Sequence, residues 1–168
     1  MTTINPPNDI KYRTPAIVAV WLVVFGLLYL ASQQLIKPKP VVTLPGGELV
    51  IPMARDGHFY ASGTVAGRPA WFLIDTGASL VVVSEAFAKQ AGLTGGTATV
   101  FKTANGDLQG RIHTDVAVAL GSAQVTAVRV GVGLVGAGPD DALLGQSFLN
   151  KFDITLRSGQ MTLRPKMN

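Results

Sequence analysis

The feature that most constrains this chain is an unbroken run of 16 apolar residues, Ala16 to Ala31. Extended to Ile36 the run has 21 residues, which as a helix rising about 1.5 Å per residue is roughly 30 Å long. That length matches the hydrocarbon core of a bilayer, so one transmembrane helix is predicted. The resulting divisions are a polar tail at 1–15, the transmembrane helix at 16–36, a Pro/Gly-rich linker at 37–47 and a folded domain at 48–168.

Two other interpretations of the apolar run stay open, a cleaved signal peptide and a buried helix of a soluble domain. A signal peptide has a shorter apolar region followed by a small-x-small cleavage site. The segment Leu30-Ala31-Ser32-Gln33 matches such a site poorly, so we prefer an uncleaved anchor. Two basic residues lie on each side of the run, so the positive-inside rule does not decide its orientation.

The composition excludes several classes of function. Charged residues make up 14% of the chain and the formal net charge is +4, with the basic residues scattered rather than gathered in a stripe. Nucleic-acid binding therefore has little support. The chain has no cysteine, which excludes disulfides, thiolate nucleophiles and thiolate metal sites.

Beyond residue 47 the sequence changes to short runs of Val, Ile, Thr and aromatic residues separated by glycine, which predicts an all-β domain. Short helices are predicted at 85–91, capped by Ser84, and at 146–151, after Gly145. The predicted strands are 48–54, 58–66, 69–75, 80–84, 97–103, 108–120, 123–132, 142–144, 152–156 and 160–164.

A carboxylate directly follows a hydrophobic strand in the segment Phe72–Ser79, which contains Asp75-Thr76-Gly77. Asp75 is therefore expected at the edge of a buried core. Gly77 would let backbone and substrate come close, and the Thr76 hydroxyl would brace the loop. With a second carboxylate nearby, one of the pair acts as base and the other as acid. The alternative is a purely structural role, in which Asp75 only caps a turn.

Three features together resemble the retropepsin-like aspartic proteases. Asp75-Thr76-Gly77-Ala78-Ser79 runs into a second hydrophobic strand at 80–83, and Leu143-Leu144-Gly145 precedes a short helix about 70 residues later. Between them, Thr103–Asp107 contains Asn-Gly, a strong signal for a tight hairpin, at the place of the family's flap. These features span about residues 57–157.

The resemblance implies an all-β, closed or partly open barrel that hydrolyses peptide bonds without a metal or organic cofactor. Because Asp-Thr-Gly occurs once, it also implies a homodimer in which each protomer supplies one Asp75. The implied catalytic residues are Asp75, Thr76 and Gly77, and the implied substrate-binding residues are Ala78, Ser79, Ala104, Asn105, Gly106, Leu143, Leu144 and Gly145.

The order of tail, span, linker and single domain is similar to the bacterial membrane-anchored branch of this family. That similarity implies an inner-membrane protein with a cytoplasmic N-terminus, a periplasmic domain and envelope proteins as substrates. Viral members have a charged Asp–Arg pair at the positions of Ser79 and Gln146 in this chain. The link between the active-site loop and the C-terminal helix is therefore expected to consist here of uncharged, hydrogen-bonded groups. A non-catalytic, membrane-anchored peptide-binding module is the main alternative, and a structural envelope protein is the third.

Other sequence signals give weaker support for a function. Gly131-x-Gly133-x-x-Gly136 matches a dinucleotide fingerprint, but no helix is predicted to follow it. His58 and His113 are isolated, so each is expected to be structural or exposed rather than a metal ligand. Asp140-Asp141 is expected to solvate a loop, with lining of the cleft as the alternative.

Overall fold

The computed structural model divides the chain into two compact units, Met1–Lys37 and Pro38–Asn168. The residues that it describes are 10–36, 41–44, 47–103, 106–133, 138 and 140–166.

The described part of the first unit is one helix, α1, which spans Ile10–Ile36. The predicted transmembrane segment, 16–36, lies within it, and the helix begins six residues earlier, at Ile10. Extension of an existing helix costs less than nucleation of a new one, which accounts for the earlier start. The side chains of α1 are described at positions 17–30. Within the described residues, no helix meets the combined length and apolarity required to cross a membrane.

The second unit is mostly β-sheet, as predicted, with two short helices among its described residues. Each predicted strand is present with its ends shifted by at most two residues, and one two-residue strand falls inside the predicted linker. The elements in chain order are β1 Val42–Thr43, β2 Leu49–Pro52, β3 Phe59–Val65, β4 Arg68–Ile74, β5 Val81–Val83, α2 Glu85–Gln90, β6 Thr97–Thr103, β7 Gly106–Leu120, β8 Ala123–Val132, β9 Asp141–Leu144, α3 Gln146–Leu149, β10 Phe152–Arg157 and β11 Gln160–Pro165.

The described strands of this unit form two sheets. The larger has the strand order β3-β4-β9-β5-β8-β7-β6, and an added β3–β7 pairing closes six of its strands into a ring. The predicted barrel is therefore present, with β6 paired outside the ring. The smaller sheet is antiparallel and has the order β1-β2-β11-β10.

Buried side chains alternate with more open ones along the strands of the barrel. In β4 the side chains of Ala70, Phe72 and Ile74 are buried, while those between them are more open, as a pleated strand with one face on the core requires. The largest fully buried side chains include Phe72, Phe87 and Phe148. One continuous apolar core thus supports both the strand that leads to Asp75 and the helix α3.

Helix α2 is fixed by a cap and by packing. The Ser84 hydroxyl accepts a hydrogen bond from the Phe87 N–H at 3.0 Å, as predicted for an N-cap. The Arg68 guanidinium lies 5.2 Å from the centroid of the Phe87 ring and also pairs with Asp140 at 2.7 Å. The expectation that Asp140 only solvates a loop is therefore wrong, because it is tied to β4 by this ion pair.

Candidate functional site

Asp75 emerges where β4 ends, beside a strand that runs in the same direction. Ile74 is paired with Leu144 of β9, and the Asp75 N–H continues this ladder by donating to the Leu144 carbonyl at 3.1 Å. Ile74 and Leu144 are buried, whereas Asp75 is half-buried. The carboxylate thus lies at the edge of the core, as the sequence predicts.

The Asp75 side chain is held by its own loop. One carboxylate oxygen, Oδ1, accepts a hydrogen bond from the Gly77 N–H at 2.8 Å, and the Ala78 N–H donates to the Asp75 carbonyl at 3.3 Å. A Cβ at position 77 would lie 3.2 Å from Oδ1. Glycine therefore serves first to bring the backbone close to the carboxylate, and the approach of substrate there stays a prediction.

The short segment that follows β9 is hydrogen-bonded to the Asp75 loop. The backbone N–H groups of Gln146 and Ser147 donate to the carbonyls of Ala78 and Ser79, at 2.8 and 3.1 Å. The Gln146 side-chain amide donates to the Thr76 carbonyl at 2.8 Å. Three hydrogen bonds thus connect residues 146–147 with the Asp75 loop.

The expected uncharged link between the Asp75 loop and α3 is present, but the hydrogen-bonding groups that form it differ from those predicted. Gln146 reaches the carbonyl of Thr76, and Ser79 takes part through its own carbonyl rather than its hydroxyl. The expected brace from the Thr76 hydroxyl is also corrected, because among the described residues that hydroxyl makes no hydrogen bond. Thr76 is exposed, so its hydroxyl remains open to solvent.

Ser147 is a site residue that no sequence pattern predicted. Its hydroxyl accepts from the Val81 N–H at 2.9 Å and donates to the Arg129 carbonyl at 2.7 Å. It therefore joins α3 to β5 and β8, which lie next to each other in the large sheet. The available signal was a hydroxyl residue two positions after Gly145, where a short helix begins.

The predicted hairpin is present, and in sequence it lies between the Asp75 loop and the segment Leu143–Gly145. Thr103 of β6 pairs with Gly106 of β7, and Gly106 has a φ of 107°, a backbone conformation that favours glycine. Ala104 and Asn105 lie outside the described residues. The role of the hairpin in binding a substrate stays a prediction.

A polar cluster lies at the start of β3, which pairs with the end of β4 through Phe59 and Ile74. The Asp56 carboxylate accepts hydrogen bonds from the His58 N–H at 3.0 Å and the Tyr60 hydroxyl at 2.8 Å. These bonds, led by that from His58, lower the pKa of Asp56, and the bond to Asp56 raises the pKa of Tyr60. His58 is exposed, and the described residues include no group of three or more side chains able to hold a metal.

Comparisons with known proteins agree with this geometry. The family model described as “gag-polyprotein putative aspartyl protease” matches residues 61–151. A crystal structure of a retropepsin-like aspartic protease from Rickettsia conorii is 31% identical, with a TM-score of 0.58, and the match covers 70% of this chain and 89% of that one.

A curated relative from Sinorhizobium, “Uncharacterized protein in cobV 5'region”, is 30% identical over 122 residues. The match covers 70% of this chain and 52% of the relative, so it spans about half the length of that protein.

Replacement of Ser147 by alanine is expected to destabilise the second unit by about 1–3 kcal/mol, because a buried N–H and a carbonyl lose their partner. The measurement is thermal unfolding of the full chain by near-ultraviolet circular dichroism. Ser79→Ala is the matched control, since its exposed hydroxyl makes no hydrogen bond among the described residues, and its effect should stay within about 0.5 kcal/mol. Equal effects of the two substitutions would contradict the role assigned to Ser147.

Proposed function

The chain belongs to the retropepsin-like aspartic proteases, and we propose that it is an endopeptidase in which Asp75 activates the attacking water. The observation that carries this proposal is the fixed carboxylate at the end of β4, held by the Gly77 N–H at 2.8 Å and half-buried beside β9. The bonds from Gln146 and Ser147 to the same loop limit its movement. A carboxylate held in this way is suited to general acid–base chemistry on a bound peptide.

The proposed active site needs two copies of the chain. Asp-Thr-Gly occurs once in 168 residues, so a second copy would supply the second carboxylate across a two-fold axis. Two carboxylates a few ångströms apart cannot both ionise, which leaves one as base and one as acid. The exposed Thr76, with its hydroxyl unbonded within the described part of one protomer, supports a hydrogen bond across that axis.

The proposed reaction consumes one water for each peptide bond. One carboxylate takes a proton from the water as its oxygen attacks the peptide carbonyl carbon, and the other protonates the leaving nitrogen. The substrate would lie extended between the Asp75 loop and the β6–β7 hairpin, including Ala104–Gly106. Ala78, Ser79 and the half-buried Leu143 would form the floor of that cleft. Leu144 and Gly145, also expected to bind substrate, are buried beneath it and would act only by supporting the floor.

We also propose that α1 anchors the protein in the bacterial inner membrane, with the second unit in the periplasm. Eleven large apolar side chains between Ile17 and Leu30 are 54% to 68% exposed. They occupy eleven of the fourteen positions from 17 to 30 and so cover the circumference of the helix, a distribution that suits a lipid environment. Periplasmic domains of membrane proteins and other envelope proteins would then be the accessible substrates.

Asp75→Asn is expected to lower the rate of peptide cleavage by about a thousandfold, because an amide cannot exchange the proton that the reaction requires. The assay uses the full-length chain in detergent micelles with a peptide library at several pH values. Asp115→Asn is the matched control, since Asp115 is exposed in β7 and its φ of 59° is one that asparagine accepts. Unchanged cleavage by Asp75→Asn would contradict the assignment, and peptide binding without cleavage in the native chain would favour the binding module.

The membrane anchor is tested by alkaline extraction of cell membranes, after which the native chain should remain in the pellet. Leu22→Arg combined with Leu28→Arg should release it, because each arginine at the centre of a spanning helix costs about 2.5–3.5 kcal/mol. Alanines at the same two positions form the control and should leave the chain in the pellet. Release of the native chain by the alkaline wash would contradict the proposal.

A further inference from the structure

The far part of the β6–β7 hairpin is a two-stranded ribbon. β7 pairs with β8 from Arg111 onward, opposite Val132, so in the described part of the chain residues 106–110 pair with β6 alone. At about 3.4 Å per residue they project roughly 17 Å beyond that pair. A two-stranded ribbon without further packing is marginally stable in water. The hairpin therefore needs an anchor on the rest of the sheet.

The polar side chains of the ribbon do not supply this anchor. Lys102 and Asp107 form an exposed ion pair at 3.3 Å, and such pairs contribute little to stability. Val100 is 55% exposed. Phe101 and Leu108, which are paired across the two strands, are half-buried. Apolar packing of this pair is what can hold the hairpin to the sheet.

Phe101 reaches back over β7 to β8 across three glycines. A Cβ at position 110 would lie 2.5 Å from the ring Cε2, and one at position 131 would lie 2.9 Å from the ring Cζ. A Cβ at position 133 would lie 3.5 Å from Cδ2 of the same ring. The ring thus rests on the bare backbone of Gly110, Gly131 and Gly133, which form a glycine slot.

The glycine slot accounts for a sequence pattern that has no other role in the fold. Gly131 and Gly133 are the first two glycines of the pattern that matches a dinucleotide fingerprint. Gly131 lies in β8 and Gly133 directly after it, and the next element of the described chain is the strand β9. A dinucleotide site needs the N-terminus of a helix at that place. These glycines serve instead to admit an aromatic ring to the backbone.

The glycine slot adjoins the residues that follow the Asp75 loop. The Cδ1 atom of Leu80 lies 3.6 Å from a Cβ built at Gly131, so Leu80 and the Phe101 ring flank the same point of β8. The Leu80 carbonyl in turn closely approaches Gly145. Phe101 therefore connects the hairpin with the segments that hold the candidate catalytic carboxylate.

We propose that Phe101 positions the β6–β7 hairpin over the Asp75 loop, with its ring in the glycine slot as the anchor. This inference rests on the proposed function, in which the hairpin covers a bound peptide, and adds a positioning residue to it. The ring holds the hairpin at one height, so a peptide meets a preformed cover. Preorganisation of this kind reduces the entropy lost on binding. Release of the ring frees the hairpin and weakens binding.

Hydrogen exchange tests the anchor independently of catalysis. In the full-length chain in detergent micelles, Phe101→Ala should raise the exchange rates of amides in residues 99–110 about tenfold, because local opening no longer removes a ring from its slot. Amides of β10 and β11 should keep their native rates. Val100→Ala is the matched control, since Val100 is the exposed neighbour on the other face of β6, and its effect should stay within about twofold. Native hairpin rates in Phe101→Ala would overturn the proposal.

Gly131→Ala tests the glycine slot from the opposite side. Gly131 is outside the set of glycines with positive φ, and the atoms nearest to its added Cβ belong to the Phe101 ring. The methyl group should therefore expel the ring and raise hairpin exchange as much as Phe101→Ala does. In a chain that already carries Phe101→Ala, it should add no more than about a twofold change, because the two sites are coupled. Effects that multiply would show that Gly131 acts independently of the ring and would overturn the proposal.

Peptide binding tests the positioning role. The probe is a peptide that the native chain cleaves, bound to Asp75→Asn. Adding Phe101→Ala should raise its Kd about tenfold, and Phe101→Leu should restore most of the affinity, because leucine refills the slot. In the chain with Asp75 intact, Phe101→Ala should raise KM more than it lowers kcat. A Kd and a KM that stay at their native values would overturn the positioning role.

These experiments separate this inference from the proposed function. Hairpin exchange that responds jointly to Phe101 and Gly131, in a chain that cleaves no peptide, would retain the anchor and remove the catalytic proposal. Cleavage that depends on Asp75, with the same KM in the native chain and in Phe101→Ala, would retain catalysis and remove the positioning role.

Discussion

The close approach of Gly145 to the loop after Asp75 is the constraint on which the rest of the site depends. A Cβ at position 145 would lie 2.2 Å from the Leu80 carbonyl oxygen and 2.7 Å from that of Ala78. No side chain fits there, so the position requires glycine. The approach allows the next two backbone N–H groups to bond to Ala78 and Ser79, which fixes the loop that begins at Asp75. Small errors in the placement of a reacting group cost large factors in rate, so this fixation bears directly on catalysis.

The barrel makes that approach possible by its strand order. β9 lies between β4 and β5, parallel to the first and antiparallel to the second. Because parallel neighbours end at the same edge of a sheet, Asp75 and Gly145 emerge side by side although many residues separate them in sequence. The buried faces of β4 and β9 share one core, so the site rests on hydrophobic packing beneath a layer of backbone hydrogen bonds.

Sequence patterns predicted the elements well and their contacts less well. Alternating apolar residues located β4, and the Asn-Gly turn signal located the β6–β7 hairpin, because both depend on local chemistry. The partner of Gln146 was predicted wrongly, since the choice between Thr76 and Ser79 depends on which carbonyl faces the helix. The bond of Arg68 to Asp140 joins residues 72 positions apart, and no local pattern marks such a pair. The bridge made by Ser147 was missed for the same reason.

The central claim is that Asp75 is half of an active site, and a mixing experiment tests it most directly. Native chain and Asp75→Asn chain are combined at fixed total concentration, allowed to exchange subunits, and assayed for peptide cleavage. If the site needs a carboxylate from each copy, activity falls with the square of the native fraction, to about one quarter in an equal mixture. Activity that falls in proportion to the native fraction, to about one half, would show that one Asp75 suffices and would contradict the account.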